Sequence, residues 1–504
     1  MKLLSASEIK QADAHSIAKE PVSSIHLMER AAAACCDWIS QQFDKSCSFK
    51  IFCGTGNNGG DGLAVARMLA LAGYPVQVFV IVYRDKRSDE FNTNEQQLSR
   101  QNPNVIKEIN GEQDFPEIQK NEIVIDAIFG TGLNKPAEGL VASCIRHINR
   151  SLATTVAIDV PSGLYIDSAV DHRSAIIKAK YTLSFQVPKL AFMFAENDPY
   201  VGSWKILDIG LDKSFIDKLP SKKTLVDSGL IKSFLKPRNR FSHKGLFGHA
   251  LLIAGTYGKI GAAVLASRSC LRTGAGLLTV HVPKCGYQVL QAAVPEAMVE
   301  TDADENIYTS KINFKIFSAV AVGCGIGTEV KTMEAMKNLL TSCQVPLVLD
   351  ADAINMLGLK KNLVKHIPEN SILTPHPKEF ERITEKARND FHRHELQIDF
   401  ALQHKVFVIL KGAHTCIACP DGTIYFNSTG NPGMAKGGSG DALTGIILSL
   451  LAQQYAPKEA SVLGVYLHGL AGDFAGKKMG MQSMLASDLI ENLGEAFKEI
   501  SRII

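Results

Sequence analysis

The sequence has 504 residues, of which 46% are hydrophobic and 21% charged. This composition excludes a disordered chain and a small disulfide-stapled scaffold, and the length predicts two to four domains. The 54 basic and 51 acidic residues leave a net charge of +3, which gives no indication of nucleic-acid binding. Because neither a secretory signal nor a run of about 18 apolar residues is present, we expect a cytoplasmic protein without membrane contact.

Short apolar runs alternate with helical patterns in the first half of the sequence. These runs are continuous rather than alternating, as in strands of a parallel sheet covered on both faces. A helix predicted over Gly62–Ala72 ends at a Gly-Tyr-Pro stop signal. The alternation predicts an α/β fold with a doubly wound sheet. The predicted strands are Phe49–Cys53, Val76–Val82, Glu122–Ile128, Thr154–Asp159, Tyr181–Phe185 and Trp204–Ile209.

A polar stretch over Leu211–Val226 interrupts this rhythm and predicts a linker, which we assign to residues 218–225. The strand–helix alternation then restarts, and the two halves differ in their Gly-rich loops. We therefore expect a fusion of two unrelated α/β domains, residues 1–217 and 226–504. Late helices are predicted at Asp441–Leu451 and Lys458–Gly476. The predicted strands are His249–Ala254, Leu277–Val282, Ala319–Gly323, Pro346–Leu349, Ser371–Thr374, Val406–Leu410, Thr415–Cys419 and Thr423–Phe426.

The most specific feature of the first half is a glycine-rich loop, Gly54–Gly62, which follows a predicted strand and opens a helix. Glycines allow a backbone to approach a ligand closely, and the N–H groups of a helix start favour phosphate. The alternative is a plain strand–helix turn in which Asp61 only stabilises the helix start.

Two further predicted strands of the first half end in acidic loops. Asp126 precedes a Gly-Thr-Gly turn, and Asp159 precedes Ser162. Ligands of open α/β sheets bind beyond the carboxyl ends of the strands, so these loops can converge on one site. The alternative is that each aspartate only caps its local turn. Side-chain oxygens of this kind suit a group 1 or group 2 cation better than zinc.

The second half carries a denser set of polar motifs. Gly437–Gly440 forms a turn at a predicted helix start, which is an anion-binding arrangement, and Asp441 follows in the first helical turn. Asp441 is either a helix cap or the base that removes a proton from a hydroxyl group. His376 is either a surface-turn histidine or a site residue. Lys411 is either an ordinary strand exit or a cation that faces a nucleotide phosphate.

Residues 1 to about 215 resemble the epimerase domain of NAD(P)H-hydrate repair enzymes through the run Asn57–Asp61. The resemblance implies a Rossmann-like fold and epimerisation at C6 of the nicotinamide ring of NADH hydrate and NADPH hydrate. It departs from the family at Thr55, where proline is usual. The implied hydrate-binding residues are Asn57, Asn58, Gly59, Gly60, Asp61, Gly130, Thr131, Gly132, Leu133, Asn134, Lys135, Pro136 and Asp159. The implied potassium (K+) ligands are Asn58, Asp126 and Ser162.

Proton transfer at C6 needs a carboxylate near the reacting carbon. Asp126 and Asp159 are both candidates for this catalytic group. We favour Asp159, because a cation bound to Asp126 would lower the basicity of its carboxylate.

Residues from about 225 to 504 resemble the ADP-dependent dehydratase domain of the same repair system, which is ribokinase-like. The matching runs are Asn431–Ala435, Gly437–Asp441 and Thr374–Pro377, with small departures at Thr256 and Lys378. The implied hydrate contacts are Ala262, Gly327, His376 and the catalytic Asp441. The implied nucleotide contacts are Lys411, Gly412, Ala413, His414, Thr415 and Gly440.

The two resemblances together imply a bifunctional isomerase and lyase. ADP would phosphorylate the C6 hydroxyl of the S epimer with Mg2+ present, and loss of phosphate would restore NADH or NADPH and leave AMP. The resemblance also implies a homo-oligomer. One alternative is a small-molecule kinase fused to a nucleotide-binding regulatory domain, which would release a phosphorylated product. A second alternative is that the first half is only a binding or scaffolding module.

Overall fold

The structure is a computed structural model that describes residues 1–20, 23–171 and 173–502. It divides into two compact units, Met1–Ser221 with Asn389–Phe391, and Lys222–Arg388 with His392–Ile504. The main division falls inside the segment 218–225 that the sequence predicts as a linker. Part of that segment is nevertheless ordered, because Lys223–Leu225 form a strand of the second unit.

The first unit is built on one sheet of seven parallel strands. The strands are β1 (Phe49–Cys53), β2 (Val76–Ile81), β3 (Ile106–Ile109), β4 (Ile123–Ala127), β5 (Thr154–Ile158), β6 (Tyr181–Phe185) and β7 (Ser203–Leu207). The helices are α1 (Ala6–Lys19), α2 (Ser24–Gln42), α3 (Asn57–Leu71), α4 (Asp89–Gln101), α5 (Gly139–Arg150), α6 (Asp198–Val201) and α7 (Lys213–Lys218). The strand order β3-β2-β1-β4-β5-β6-β7 is that of a Rossmann-like doubly wound sheet, as predicted.

The strand order of this sheet reverses between β1 and β4, which are neighbours and run parallel. Every residue of both strands is buried, which explains their continuous apolar sequence. In doubly wound sheets the crevice at such a reversal receives the ligand. The loops after Cys53 and Ala127, which carry the predicted site residues, start at this point.

The second unit contains a ten-stranded sheet. Its strands are β8 (Lys223–Leu225), β9 (His249–Ile253), β10 (Leu277–Val282), β11 (Met298–Thr301), β12 (Ala319–Val322), β13 (Leu347–Leu349), β14 (Ile372–Leu373), β15 (Phe407–Leu410), β16 (Cys416–Ala418) and β17 (Ile424–Phe426). The order is β11-β10-β9-β12-β13-β14-β15-β16-β17-β8. The strands from β11 to β15 are parallel, whereas β16 is antiparallel to both its neighbours. The predicted nucleotide residues 411–415 therefore form the connection of the β15–β16 hairpin.

The helices of this unit include one that is buried on all sides, α15. The set comprises α8 (Ser228–Phe234), α9 (Ile260–Thr273), α10 (Tyr287–Ala293), α11 (Val330–Ser342), α12 (Ala351–Leu359), α13 (Pro377–Ile383), α14 (Asp390–His404), α15 (Ser439–Ala452), α16 (Pro457–Met479), α17 (Ala486–Glu491) and α18 (Leu493–Arg502). All residues of α15 from Ala442 onward are buried. A Cβ atom on Gly445 would lie 2.1 Å from the carbonyl oxygen of Ala266, so glycine is needed where α15 crosses α9.

Within the described residues, no helix combines the length and the apolarity needed to cross a lipid bilayer.

Candidate active sites

A cavity of about 670 Å³ lies at the carboxyl ends of the strands of the first unit. Most of the residues that the sequence predicts to bind the hydrate line this one cavity. They are Asn57, Asn58, Asp61, Gly130, Thr131, Gly132, Leu133, Asn134 and Asp159. The remaining predicted residues Gly59, Gly60, Lys135 and Pro136 are not part of the lining, and the last two are exposed.

The glycines at positions 59 and 60 serve the packing of α3. A Cβ atom on Gly59 would lie 1.7 Å from the carbonyl oxygen of Gly54, and one on Gly60 would lie 2.9 Å from Sδ of Met28. Gly59 does not tolerate a side chain, because its neighbour is fixed backbone, whereas at Gly60 the flexible Met28 side chain of α2 would have to move. The density of glycine in this loop therefore has a structural cause in addition to any ligand.

Asp126 and Ser162 form a buried hydrogen-bonded pair that does not line the cavity but contacts Phe129, which does. The hydroxyl of Ser162 donates to Oδ1 of Asp126 at 2.6 Å and its backbone N–H donates to Oδ2 at 2.8 Å. Burial raises the pKa of Asp126 to about 6, against the effect of these hydrogen bonds. Within the described part of the chain, no basic side chain forms an ion pair with Asp126.

The environment of Asp126 and Asn58 fits a bound monovalent cation. A buried carboxylate without a cationic partner is costly, and a cation would neutralise it. The side chain of Asn58 is 9% exposed, and its amide nitrogen has no hydrogen-bond partner in the structure. The oxygens of Asn58, Asp126 and Ser162 are hard donors, which suit a group 1 cation.

Asp159 is held at the cavity by Lys189, a residue that the sequence analysis missed. The backbone of Asp159 has φ = 64°, a left-handed conformation that costs energy in a residue with a side chain. Nζ of Lys189 lies 3.2 Å from Oδ1 of Asp159 and donates to the carbonyl oxygens of Phe185 and Val187 at 3.0 and 3.1 Å. The only sequence signal was a lysine inside an apolar segment just after a predicted strand.

In the second unit, the glycine turn places Asp441 in the first turn of α15. Gly438 precedes the helix with φ = 92°, a conformation that favours glycine. A Cβ atom on Gly440 would lie 3.4 Å from Nζ of Lys411 and 3.8 Å from Oδ2 of Asp350. Burial and the neighbouring Asp350 raise the pKa of Asp441 to about 6. Such a carboxylate is poised to accept a proton near neutral pH.

Lys411 connects the predicted nucleotide loop to this turn. Its ammonium lies 3.0 Å from Oδ1 of Asp350 and 3.9 Å from Oε2 of Glu379. The hydroxyl of Thr444 donates to Oδ2 of Asp350 at 2.7 Å. Burial would raise the pKa of Asp350, but Lys411 and Thr444 hold it below its usual value. No sequence motif predicted a role for Asp350 or Glu379.

The other predicted nucleotide residues lie in the hairpin connection. Gly412 and Ala413 are exposed, and the hydroxyl of Thr415 donates to the carbonyl oxygen of Gly412 at 3.0 Å. Nδ1 of His414 lies 3.2 Å from the carbonyl oxygen of Asn427. The connection is thus a turn closed by Thr415, whose hydroxyl also accepts a hydrogen bond from the backbone N–H of Gly412 at 3.3 Å.

His376 caps helix α13. Its Nδ1 accepts a hydrogen bond from the backbone N–H of Glu379 at 3.1 Å, while Oε2 of Glu379 accepts one from the backbone N–H of His376 at 2.8 Å. Because Glu379 also faces Lys411, this cap links the predicted hydrate residue His376 to the nucleotide loop.

The predicted hydrate contacts are Ala262, at the start of α9, and Gly327, in the loop that packs against it. A Cβ atom on Gly325 would lie 3.2 Å from Cβ of Ala262, so the loop 323–327 packs against the start of α9. The N–H of Gly327, at φ = 77°, donates to Oδ2 of Asp352 at 2.9 Å. Nζ of Lys259 lies 3.5 Å from the same oxygen.

One group of possible metal ligands occurs among the described residues. The ligand atoms of Cys324, Asp350 and Asp441 lie within 4.8 Å of one another. This group does not fit Mg2+, because a thiol is a soft ligand and Asp350 is already neutralised by Lys411.

Comparison with known proteins assigns a family to each half. A family described as YjeF-related protein N-terminus matches residues 24–191, and one described as NAD(P)H-hydrate dehydratase matches residues 250–495. The second unit accordingly combines an α/β fold with a mostly parallel sheet and a match to the dehydratase family.

Full-length relatives carry both halves. The bifunctional NAD(P)H-hydrate repair enzyme of Moorella thermoacetica is 35% identical, over 98% of this chain and 96% of the relative. That of Escherichia coli is 31% identical, over 93% of this chain and 88% of the relative. The crystal structure of the ADP/ATP-dependent NAD(P)H-hydrate dehydratase from Bacillus subtilis, co-crystallised with ATP and Mg2+, is 32% identical and covers 55% of this chain and 98% of that one, with a TM-score of 0.48. The chain belongs to the family of bifunctional NAD(P)H-hydrate repair enzymes.

Proposed function

We propose that this protein repairs hydrated NADH and NADPH with two separate active sites. The first unit interconverts the R and S epimers at C6, and the second unit dehydrates the S epimer at the expense of ADP. The observation that supports this proposal most directly is the cavity at the carboxyl ends of the first sheet, which is lined by nine of the thirteen residues proposed to bind the hydrate. The similarity over nearly the full chain to bifunctional repair enzymes supports the same division of labour.

The cavity of the first unit suits epimerisation. The lone pair of the ring nitrogen expels the C6 hydroxyl as the C6–O bond breaks, and water then adds to the opposite face. Asp159 is the proposed proton-transfer group, because it lines the cavity and Lys189 and its own backbone fix its position. The N–H groups at the start of α3, with Asn57 and Asn58, would hold the pyrophosphate of the hydrate.

K+ is the proposed cation of the first unit, with Asn58, Asp126 and Ser162 as its ligands. When bound, it would supply the positive charge that the buried Asp126 carboxylate lacks. The loop that starts at Gly130 connects this position to the cavity, because the backbone N–H of Phe129 donates to the hydroxyl of Ser162 at 2.8 Å. Cation binding would thereby fix the loop that contacts the hydrate.

In the second unit, Asp441 is the proposed base. It would take the proton of the C6 hydroxyl, so that the hydroxyl oxygen attacks the β-phosphate of ADP and AMP leaves. The N–H groups of the glycine turn and the ammonium of Lys411 would stabilise the charge of the transferred phosphoryl group. Phosphate is a better leaving group than hydroxide, and its loss with a ring proton restores the double bond. Mg2+ would enter with the nucleotide phosphates.

Asp159→Ala tests this assignment of the two activities. With ADP and a mixture of the two NADH hydrate epimers, we expect the variant to consume the S epimer and to accumulate the R epimer, which can be followed by chromatography of the two species. Equal loss of both conversions would contradict the proposal. The homo-oligomer is a further proposal that depends on the family resemblance, and the cytoplasmic location is one that depends on the sequence composition.

A further inference from the structure

Helix α1 forms a wall of the first cavity that no sequence motif predicted. It contributes Asp13, together with the neighbouring Ile9, Lys10, Ala12 and Ile17. The other acidic residue of this helix, Glu8, is used in the capping box with Ser5. In contrast, Asp13 makes no hydrogen bond and no ion pair with any described residue. A carboxyl group in a ligand cavity without a structural partner is free to act on the ligand.

The charges of the cavity set Asp13 apart from Asp159. The charged side chains that line it are Lys10, Asp13, Asp61, Arg84, Asp159 and Lys189. The buried ammonium of Lys189 forms its ion pair with Asp159 and not with Asp13. Burial and the charge of Asp159 raise the pKa of Asp13 to about 6, although Lys189 opposes this shift. Among the described residues, the cavity therefore holds one carboxyl group with a cationic partner, Asp159, and two without an ion-pair partner, Asp13 and Asp61.

An unsatisfied amide near Asp159 indicates that this part of the cavity meets a polar group of the bound molecule. The buried side-chain nitrogen of Asn58 has no partner although the residue lines the cavity. A Cβ atom on Gly130 would lie 3.4 Å from Oδ1 of Asn58 and 3.4 Å from Oδ2 of Asp159, so these two side chains meet at the same glycine. A donor left unpaired at this point calls for an acceptor on the bound molecule.

We propose that Asp13 is a second catalytic residue of the epimerase, the proton donor that works with Asp159 as the proton acceptor. The inference rests on the proposed function of the first cavity. In one direction Asp13 protonates the leaving hydroxyl, the C6–O bond breaks, and the nitrogen lone pair forms the N1=C6 double bond. Water then adds to the other face, gives its proton to Asp159, and the π electrons return to nitrogen. One proton is donated and one is accepted, and the reverse direction exchanges the two roles.

Asp13→Asn tests this role, because it removes the proton and keeps the shape of the side chain. The R epimer of NADH hydrate with ADP reports epimerisation followed by dehydration, and the S epimer with ADP reports dehydration alone. We expect R turnover to fall about 100-fold, the size of a typical general-acid contribution, and S turnover to stay within twofold. The matched control is Asp37→Asn, an exposed aspartate of α2, which should change neither rate.

Two further variants separate the possible outcomes. Asp13→Glu keeps the carboxyl group and is expected to recover most of the R turnover, which a purely structural loss would not allow. R turnover near the wild-type rate in Asp13→Asn, or an equally slow Asp13→Glu, would overturn the proposed role. If Asp159→Asn loses R turnover while Asp13→Asn keeps it, only the inference on Asp13 fails. If both variants keep it, the assignment of the cavity fails as well.

Discussion

The ammonium of Lys411 lies 3.0 Å from Oδ1 of Asp350, and this ion pair ties the β15–β16 hairpin to the start of α15. Asp350 also accepts a hydrogen bond from Thr444 on α15, the helix that carries Asp441. The proposed nucleotide loop and the proposed catalytic base are therefore held by one shared carboxylate. Changes at this pair are expected to affect both folding and nucleotide binding.

Lys411→Met leaves the buried Asp350 carboxylate without its cation. Breaking a buried ion pair in this way lowers the free energy of unfolding by about 3–5 kcal/mol. Lys405→Met is the matched control, because Lys405 and its partner Glu369 are 64% and 62% exposed and a solvent-exposed pair adds little to stability. Urea unfolding of each variant measures the two changes in the free energy of unfolding. The transition to compare is the one that ADP shifts in the wild-type protein. Equal effects of the two substitutions would contradict the structural role of Lys411.

Asp441→Asn is expected to abolish dehydration while the nucleotide still binds. The amide keeps the shape of the side chain but cannot accept the hydroxyl proton, so turnover of the S epimer should fall by about 10²–10⁴. Calorimetric titration with ADP should give an affinity close to that of the wild-type protein. Retained turnover in this variant would remove Asp441 as the base.

The dehydratase rate is expected to rise with pH through about 6. The base must be ionised, and burial with the neighbouring Asp350 raises the pKa of Asp441 to about 6. Protonation below this pH therefore removes the acceptor, and kcat/KM for the S epimer should fall tenfold for each further pH unit. Initial rates between pH 5 and 8 give the profile. A rate that does not change across this range would be inconsistent with Asp441 as the titrating base.

Replacing K+ by a large organic cation is expected to destabilise the first unit. A ligand that binds only the folded state stabilises it by about 2.7 kcal/mol at 100 times its Kd, so thermal melts should shift with K+ concentration. Asp126→Asn removes the proposed anionic ligand and should abolish this shift, whereas Asp37→Asn should retain it. The same K+ response in both variants would exclude Asp126 as a ligand.

Residues whose roles depend on local sequence could be predicted. The glycines before Asp441 and the loop before α3 set the backbone of a helix start, and this geometry depends on a few consecutive residues. The convergence of Asp126 and Ser162 followed from the rule that parallel strands end at one edge. The structure brings these two side chains within 2.6 Å of each other.

Residues whose roles depend on tertiary packing were missed. Asp13 belongs to no motif, and only the position of α1 in the fold brings it to the cavity. Lys189 follows an ordinary strand, and its pairing with Asp159 depends on two loops that are 30 positions apart. The short strand β8 has no apolar run of its own, so its sequence did not predict a strand. It forms one because it pairs with β17, about 200 positions later in the chain.

The measurement that tests the account most directly is the regain of NADH, followed by absorbance, when this protein is given ADP and a mixture of the two NADH hydrate epimers. We expect complete conversion to NADH, with one AMP and one phosphate formed for each hydrate consumed. Recovery that stops at the share of the S epimer would contradict the epimerase site. A phosphorylated product without NADH would contradict the dehydratase site and favour a kinase.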